Sequence, residues 1–212
     1  MDSVSHSCFS YLTCRASGVA SSPRTGLLAA GVALLPDLDF LIIPFLPELW
    51  RFAFHRGPSH SLMMALVMGV ILGGLVSRWL RLSWLRASLL VGLAWMSHIF
   101  LDMCTGFGVA LLWPFTHARY SFDLLFVVDP LATLPLIVAV IWDLCANGGK
   151  TDGRRKIATG ALLIFGVYVM ASLGIRTKVK HDFLVALRQH GHQVREIHTE
   201  PTPFNNQLWY LC

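Results

Sequence analysis

The sequence predicts an all-α fold, a multi-pass transmembrane helical bundle of five or six membrane segments that ends in a short polar C-terminal tail. Composition is the first reason, because hydrophobic residues make up 55% of the 212 residues and charged residues only 14%. The mean hydropathy of +0.59 is the second, since it lies above the range of ordinary soluble domains. The third is the recurrence of apolar runs near the ~20 residues that a helix needs to cross a bilayer. The lipid bilayer is therefore the predicted partner of much of the surface.

Five apolar runs predict the membrane helices, and brief loops join them. They are residues 25–35 continuing into 40–46, then 61–80, 85–103, 124–144 and 157–175. The segment before them, residues 4–20, is shorter and more polar. We favour a short crossing helix there, with a re-entrant or interfacial helix as the alternative. It lacks the early positive charge and cleavage site of a signal peptide, so we expect it to remain in the mature protein.

The chain divides into one transmembrane helical domain over residues 1–175 and an extramembrane tail over residues 176–212. Residues 178–190 of the tail have the pattern of an amphipathic helix, whereas QVREIH (193–198) and NQLWYL (206–211) are typical of extended chain. The five cysteines show no CxxC spacing. The sequence therefore implies neither a disulfide framework nor a thiolate zinc site.

Basic residues predict the orientation of the bundle. The net charge of +5 comes from short clusters beside apolar runs, where topology determinants belong, so we expect no nucleic-acid partner. Alternation of the spans puts nine basic residues on one side and three on the other. The nine are Arg15, Arg24, Arg78, Arg81, Arg86, Lys150, Arg154, Arg155 and Lys156, and the three are Arg51, Arg56 and Arg119. The nine mark the cytoplasmic side, which leaves the N-terminus and the tail outside.

Two carboxylates follow the first strong span in LLPDLDFL (34–41), where Pro36 breaks the helix and Asp37 and Asp39 stand among leucines. Carboxylates at that depth are costly unless they face a metal, a cation or a water-filled cavity. This position predicts a functional site rather than a plain helix end.

Two histidines and an arginine follow in HRGPSHSL (55–62). His55, Arg56 and His60 surround a Gly-Pro turn, and Ser59 is expected to cap the next helix. A loop with incidental polar residues is the alternative. We favour a shared purpose with the two aspartates, because alternation brings both segments to the outer face.

The third polar motif ends the 85–103 span, in AWMSHIFLD (94–102). His98 and Asp102 are four residues apart, so on a helix they lie one turn from each other and can face one point. A capped helix end at the water interface is the alternative. If residues 4–20 cross the membrane, His6 joins the same outer face.

These motifs predict a metal site that draws on His6, Asp37, Asp39, His60, His98 and Asp102. Imidazole and carboxylate ligands without thiolates suit a divalent metal, with zinc favoured and manganese or iron as alternatives. An open coordination position would let a bound water act as the nucleophile. Arg56 would hold an anionic group such as phosphate in bidentate fashion.

Two further segments lie on the predicted outer side. LLWPF (111–115) with Arg119 and Tyr120 is expected to form an aromatic belt, and a wall of the site is the alternative. Asp129-Pro130 begins a helical stretch that Asp129 is expected to cap. Support of a ligand histidine is the alternative for Asp129.

Four motifs in order resemble the YdjM-like family of bacterial inner-membrane proteins, which are described as membrane-bound metal-dependent hydrolases. The motifs are LLPDLDFL, HRGPSHSL, SHIFLDMCTGFGVALLWPF and FVVDPLATLPLI, which cover most of residues 1–145, and TEPTPFNNQLW is also similar. The resemblance implies a multi-pass helical protein of the bacterial inner membrane. It also implies a distant similarity to zinc-dependent phospholipase C and related nucleases in the His/Asp pattern.

The family's site residues map onto this chain motif by motif. Its first-helix histidine matches His6, its PDLD matches Asp37 and Asp39, its HRxxTHS matches His55, Arg56 and His60, and its HxxLD matches His98 and Asp102. The resemblance thereby adds His55 to the implied metal ligands. Ser59 stands where the family usually has Thr, which keeps a hydroxyl. Relatives commonly continue beyond PTPFN, so we expect a shortened form.

These observations favour an enzyme, a metal-dependent hydrolase of phosphoesters or lipid-linked substrates at the outer membrane surface. Asp39 or Asp102 would assist proton transfer, and Arg56 would stabilise developing charge. The alternative is a non-catalytic metal-binding membrane protein or a transporter. An ion path would need polar residues on the cytoplasmic halves of the helices, which are almost wholly apolar in sequence.

Overall fold

Helices form most of the structure, a computed structural model that describes residues 1–212 except 49–50, 52–53, 147–150, 191–196, 206 and 212. The described α-helices are α1 (Ser3–Ala16), α2 (Pro23–Val32), α3 (Leu62–Leu80), α4 (Trp84–Met103), α5 (Pro130–Cys145) and α6 (Thr151–Gln189). Three 3₁₀ turns, Pro36–Leu41, Ile43–Phe45 and Pro58–His60, lie between α2 and α3. The predicted helical membrane bundle is confirmed.

Four segments of the described chain are long and apolar enough to cross a membrane. They are Pro23–Phe45, Leu62–Leu80, Trp84–Met103 and Asp152–Gln189. The helix surfaces that point away from the bundle carry large exposed apolar side chains, such as Leu66 at 70% and Val167 at 71% exposure. Exposed apolar surface of this kind is typical of helices that face lipid.

The predicted 124–144 helix is shorter than expected. Helix α5 begins at Pro130, because Asp129 caps it by accepting hydrogen bonds from the backbone N–H groups of Leu131 and Ala132 at 3.0 and 3.2 Å. Its 16 residues rise about 24 Å, less than the ~30 Å of a bilayer core. The expected cap at Asp129 is confirmed, and Asp129 also accepts a 2.7 Å hydrogen bond from the Tyr168 hydroxyl.

The first strong span is not a continuous helix. Ser22 and Thr25 form a capping box at its start, and α2 ends at Val32. Two 3₁₀ turns then carry the chain to Phe45, the first beginning at Pro36. Because proline cannot donate the helical hydrogen bond, it redirects the chain where Asp37 and Asp39 follow.

Helix α6 joins two predicted elements. Its 39 residues extend about 58 Å, so the predicted 157–175 span and the 178–190 helix are one continuous rod through residue 175. Beyond it, β1 (Thr199–Pro201) pairs antiparallel with β2 (Trp209–Leu211), which confirms extended chain for the last three residues of NQLWYL. Most of QVREIH lies outside the described residues. Arg176 ties this hairpin to the bundle by donating to Thr199 Oγ1 at 2.9 Å and to Asp123 Oδ2 at 3.1 Å.

Helix α1 occupies the middle of the bundle. It packs against α2, α4, α5 and α6, and Tyr11 and Leu12 are fully buried. Its polar sequence is explained by this position, because a helix enclosed by other helices meets their side chains rather than lipid. Helices α3 and α4 lie against each other closely enough that a Cβ at Gly73 would come within 2.5 Å of Ser88 Oγ.

A buried ion pair closes the bundle end that holds the C-terminus of α1. Arg15 donates to both carboxylate oxygens of Asp143, at 2.8 and 3.0 Å, and the Tyr11 hydroxyl donates to Oδ2 at 2.5 Å. Arg154 donates to the Asp143 carbonyl at 3.0 Å. Several of the nine basic residues therefore meet at this end, and Lys150 lies outside the described residues. His6, at the other end of α1, points to the opposite end of the molecule.

Candidate metal site

Four side chains from three separate segments converge at the His6 end of the bundle. Asp37 comes from the first 3₁₀ turn, His60 from the turn before α3, and His98 and Asp102 from the last turns of α4. One ligand atom from each lies within 4.8 Å of the other three. Four of the predicted metal ligands, Asp37, His60, His98 and Asp102, therefore lie around one point, and the predicted ligand Asp39 is not among them.

The spacing of these atoms matches the space that a tetrahedral ion requires. Asp37 Oδ1 lies 3.5 Å from the Nε2 atoms of both His60 and His98. Asp102 Oδ2 lies 3.2 Å from His60 Nε2 and 3.5 Å from His98 Nε2, and the two Nε2 atoms are 2.9 Å apart. Ligands bound at ~2.1 Å in a tetrahedron would be about 3.4 Å from one another. These five distances among the donors, 2.9 to 3.5 Å, are thus close to that value.

Local sequence explains how each ligand arrives. His98 and Asp102 are one helical turn apart, as predicted from their spacing. The 3₁₀ turn Pro58–His60 delivers His60, and α3 begins only after it, at Leu62. The prediction that Ser59 caps α3 is wrong, because this turn intervenes and Ser61 takes the cap, accepting from Met64 N at 3.1 Å.

The four donors are buried but unequally so. His60, His98 and Asp102 are at most 1% exposed, whereas the Asp37 side chain is 29% exposed. Within the described part of the chain, His98 Nδ1 and Asp102 Oδ2 take part in no hydrogen bond. Burial disfavours protonation of His60, but the carboxylates of Asp102 and Asp37 outweigh burial and raise the pKa of its imidazole. The carboxylates therefore attract a positive charge into the cluster.

Asp39 and His55 lie outside the four-residue cluster. Asp39 accepts hydrogen bonds from Ser59 Oγ at 3.1 Å and from the Arg56 backbone N–H at 3.2 Å, and its Oδ1 lies 3.3 Å from His55 Nδ1. Ser59 Oγ is also 2.9 Å from His60 Nδ1. Asp39 thus reaches His60 through Ser59, on the side of the ring away from the other ligands. Partners in that position hold metal-binding histidines in orientation.

His6 and Arg56 meet the other oxygen of Asp102. His6 Nε2 lies 3.3 Å from Asp102 Oδ1, and the His6 ring stacks on His98 with centroids 3.9 Å apart. Arg56 Nη2 lies 3.2 Å from the same oxygen, and the Met1 amino group contacts it too. Asp102 therefore faces the cluster with Oδ2 and two cations with Oδ1.

Sequence reasoning missed Thr105. Its hydroxyl donates to the Asp102 carbonyl at 2.8 Å and accepts from Arg56 Nη1 at 3.0 Å, so it joins the arginine to the end of α4. A hydroxyl three residues after a helix-end aspartate was the only available signal.

A cavity of about 450 Å³ adjoins the cluster. Its lining comprises Phe40, Ile43, Glu48, Arg51, His55, Arg56, Phe107 and Arg119. Arg56 lines the cavity and contacts Asp102 of the cluster, and its guanidinium lies 5.1 Å from the centre of the Phe107 ring. Arg119, expected beside an aromatic belt, forms part of this wall, whereas residues 111–115 do not line it.

The model of the YdjM inner membrane protein family matches residues 1–179, a stretch that contains every residue of the cluster. The chain belongs to this family. As a YdjM-family member it is an inner membrane protein, and the resemblance carried by the four motifs is confirmed. The inner membrane protein YbcI of Escherichia coli (strain K12) is 37% identical over 98 residues, which cover 44% of this chain and 57% of YbcI. This YdjM-family chain thus spans little more than half of that relative's length, and no solved structure matches it.

Proposed function

We propose that this YdjM-family protein is a membrane-bound metal-dependent hydrolase of phosphoesters or lipid-linked substrates at the outer face of the bacterial inner membrane. The observation that carries the proposal is the convergence of two imidazole nitrogens and two carboxylate oxygens within 4.8 Å of one another. An arginine-lined cavity next to it supplies room for an anionic substrate.

The metal would be held by Asp37, His60, His98 and Asp102. Zinc is the favoured ion, with manganese or iron as alternatives, because the donors are nitrogen and oxygen without thiolate. When bound, a divalent ion supplies a Lewis acid and lowers the pKa of water in contact with it. Asp37 is the most exposed of the four donors, so substrate and water would reach the site from its side.

Arg56 would hold the scissile group. Its guanidinium lies between the cavity and Asp102, where it can bind an anionic oxygen and stabilise charge that develops on it. Arg56 is itself buried and anchored by Thr105, so its position is fixed before substrate arrives.

Proton transfer would pass through His55 and Asp39. His55 lines the cavity and its side chain is 28% exposed, while Asp39 Oδ1 lies 3.3 Å from its Nδ1 and would orient the ring. The other His55 nitrogen would then exchange a proton with water or the leaving group. We therefore propose that Asp39 supports proton transfer and that His55 acts beside the metal rather than as one of its ligands.

The outer orientation is supported by charge. The end of the bundle opposite the cluster gathers Arg15, Arg154 and other basic residues, and cytoplasmic loops carry an excess of Lys and Arg. The cluster would then lie on the far side of the membrane from that end.

A non-catalytic metal-binding membrane protein is the second candidate, favoured by the near-complete burial of His60, His98 and Asp102. Transport receives less support, because the Arg15–Asp143 pair closes the opposite end of α1.

Hydrolysis of a phosphoester panel by detergent-purified protein tests the proposal. We expect turnover that a chelator abolishes and that added zinc or manganese restores, with Arg56→Gln greatly reduced. A protein that retains its metal but hydrolyses no phosphomonoester, phosphodiester or phospholipid would support the second candidate instead.

A further inference from the structure

We infer that the cavity beside the metal cluster binds the phosphate group of an amphiphile, with Arg51 and Arg119 binding the anion and Phe40 and Phe107 contacting its apolar chain. This inference rests on the proposed function, since it names the substrate class of the same site.

Charge is the first argument. Three arginines line the cavity, and Glu48 is the one acidic residue among the described lining residues. Arg119 Nη2 donates to the His55 carbonyl at 2.8 Å, and Arg51 Nε donates to the Leu46 carbonyl at 2.9 Å, so backbone contacts hold both side chains at the cavity. Burial, and then the nearby Arg56 guanidinium, lower the pKa of Arg119. A bound anion would relieve this repulsion, and guanidinium groups suit the geometry of phosphate.

The apolar wall is the second argument. Phe40 and Phe107 line the same cavity at 59% and 66% exposure, and Ile43 lines it as well. Phe40 and Ile43 belong to the candidate span Pro23–Phe45, where Leu41 and Phe45 are 67% and 86% exposed. The cavity therefore borders a surface that lipid would cover. An amphiphile could enter it with its chain still in the bilayer.

Position relative to the cluster is the third argument. Arg56 lines the cavity and lies 3.2 Å from Asp102 Oδ1, so an anion that contacts Arg56 is a short step from the proposed metal. Arg51 and Arg119 would therefore orient a phosphate towards the reacting centre. A free phosphate or a water-soluble phosphoester would use the arginines but gain nothing from the aromatic wall.

Binding measurements on the protein in maltoside micelles, with chelator present, distinguish a phosphate-bearing amphiphile from free phosphate and from a water-soluble phosphoester. The probes are dioctanoyl phosphatidate, dioctanoylglycerol, glycerol 3-phosphate and inorganic phosphate. We expect dioctanoyl phosphatidate to bind most tightly. Arg51→Gln and Arg119→Gln should each weaken it roughly tenfold, as loss of a charge-assisted contact does. Phe107→Ala should weaken it while leaving inorganic phosphate binding unchanged.

The matched control is Arg24→Gln, which removes an exposed arginine near the start of the Pro23–Phe45 span. It should leave the affinity for dioctanoyl phosphatidate unchanged. Arg51 and Arg119 are both exposed, so their substitution leaves the core intact. Unchanged affinity in both arginine variants would overturn the inference. Equal binding of dioctanoylglycerol, or of inorganic phosphate, would overturn it too, because it requires the anion and the chain together.

The chelator keeps this test separate from the proposed hydrolysis. Arginine-dependent phosphatidate binding without hydrolysis by metal-loaded protein would leave this inference standing and contradict the proposed function. Metal-dependent phosphoester hydrolysis that is insensitive to both arginine variants would do the reverse.

Discussion

The two ends of the bundle bury carboxylates in opposite ways. At one end, both oxygens of Asp143 accept hydrogen bonds from Arg15, and Tyr11 adds a third, so the protein itself neutralises the charge. At the other end, Asp102 Oδ1 meets Arg56 and the Met1 amino group, but Asp102 Oδ2 and Asp37 Oδ1 face two histidine nitrogens that lie only 2.9 Å apart. A buried carboxylate whose two oxygens are both hydrogen-bonded needs no further partner, whereas donors that converge on one point could hold an ion.

The largest expected effect on stability comes from removing the Arg15–Asp143 ion pair. Asp143→Asn leaves the Arg15 charge buried without a counterion, and we expect a loss of about 3 kcal/mol or more in the free energy of unfolding. Thermal or denaturant unfolding in detergent measures it. Asp152→Asn is the control, because its ion pair with Lys156 is exposed and its removal should leave stability unchanged.

The metal content of the Asp143→Asn variant gives a second test of the difference between the two ends. Folded Asp143→Asn protein should keep the metal content of the wild type, since the ion pair lies at the other end of α1. Parallel loss of metal and stability would show that the two ends are one unit and would remove the contrast between them.

Part of this contrast could be predicted from the sequence. The four-residue spacing of His98 and Asp102 is a local helical property, and alternation of spans was enough to bring Asp37 and His60 to the same end. The Arg15–Asp143 pair could not be predicted, because its members are 128 residues apart and an aspartate in an apolar run does not indicate its partner.

Other features of the site depend on 3₁₀ turns, which are difficult to predict from the sequence. Asp37 and Asp39 both stand in PDLD, yet the 3₁₀ turn sends Asp37 to the cluster and Asp39 to Ser59. The same kind of turn at Pro58 moved the cap of α3 from Ser59 to Ser61. Residues 4–20 were difficult to interpret because hydropathy reports contact with lipid, and α1 is surrounded by protein.

A smaller effect, on metal affinity, is expected when the contacts that orient His60 are removed. Ser59→Ala removes the hydroxyl between Asp39 and His60 Nδ1, and we expect metal affinity to fall roughly tenfold, with folding retained. Competition with a zinc indicator measures it, and Ser59→Thr should restore affinity. Ser61→Ala is the contrast, because loss of the α3 cap should cost about 1 kcal/mol of stability without changing affinity. Equal metal affinities in Ser59→Ala and wild type would remove Asp39 from the site.

The smallest expected effect separates the contribution of the Tyr11 hydrogen bond from that of the Arg15–Asp143 ion pair. Tyr11→Phe removes one hydrogen bond to Asp143 but keeps the Arg15 pair, so we expect a loss of about 1 kcal/mol in unfolding free energy. The same unfolding experiment measures it. A loss as large as that of Asp143→Asn would mean that the hydroxyl, and not the ion pair, holds this end together.

Metal analysis of purified protein tests the central claim most directly. We expect about one divalent ion per chain in the wild type and in His181→Ala, whose imidazole is exposed in the distal part of α6. His98→Ala and Asp102→Asn should each lose most of that metal, because each removes one of four ligands. His98→Ala should remain folded, whereas Asp102→Asn should also lower stability, because Asp102 is the counterion of the buried Arg56. Full metal content in both variants would contradict the ion site and make His98 and Asp102 a capped helix end.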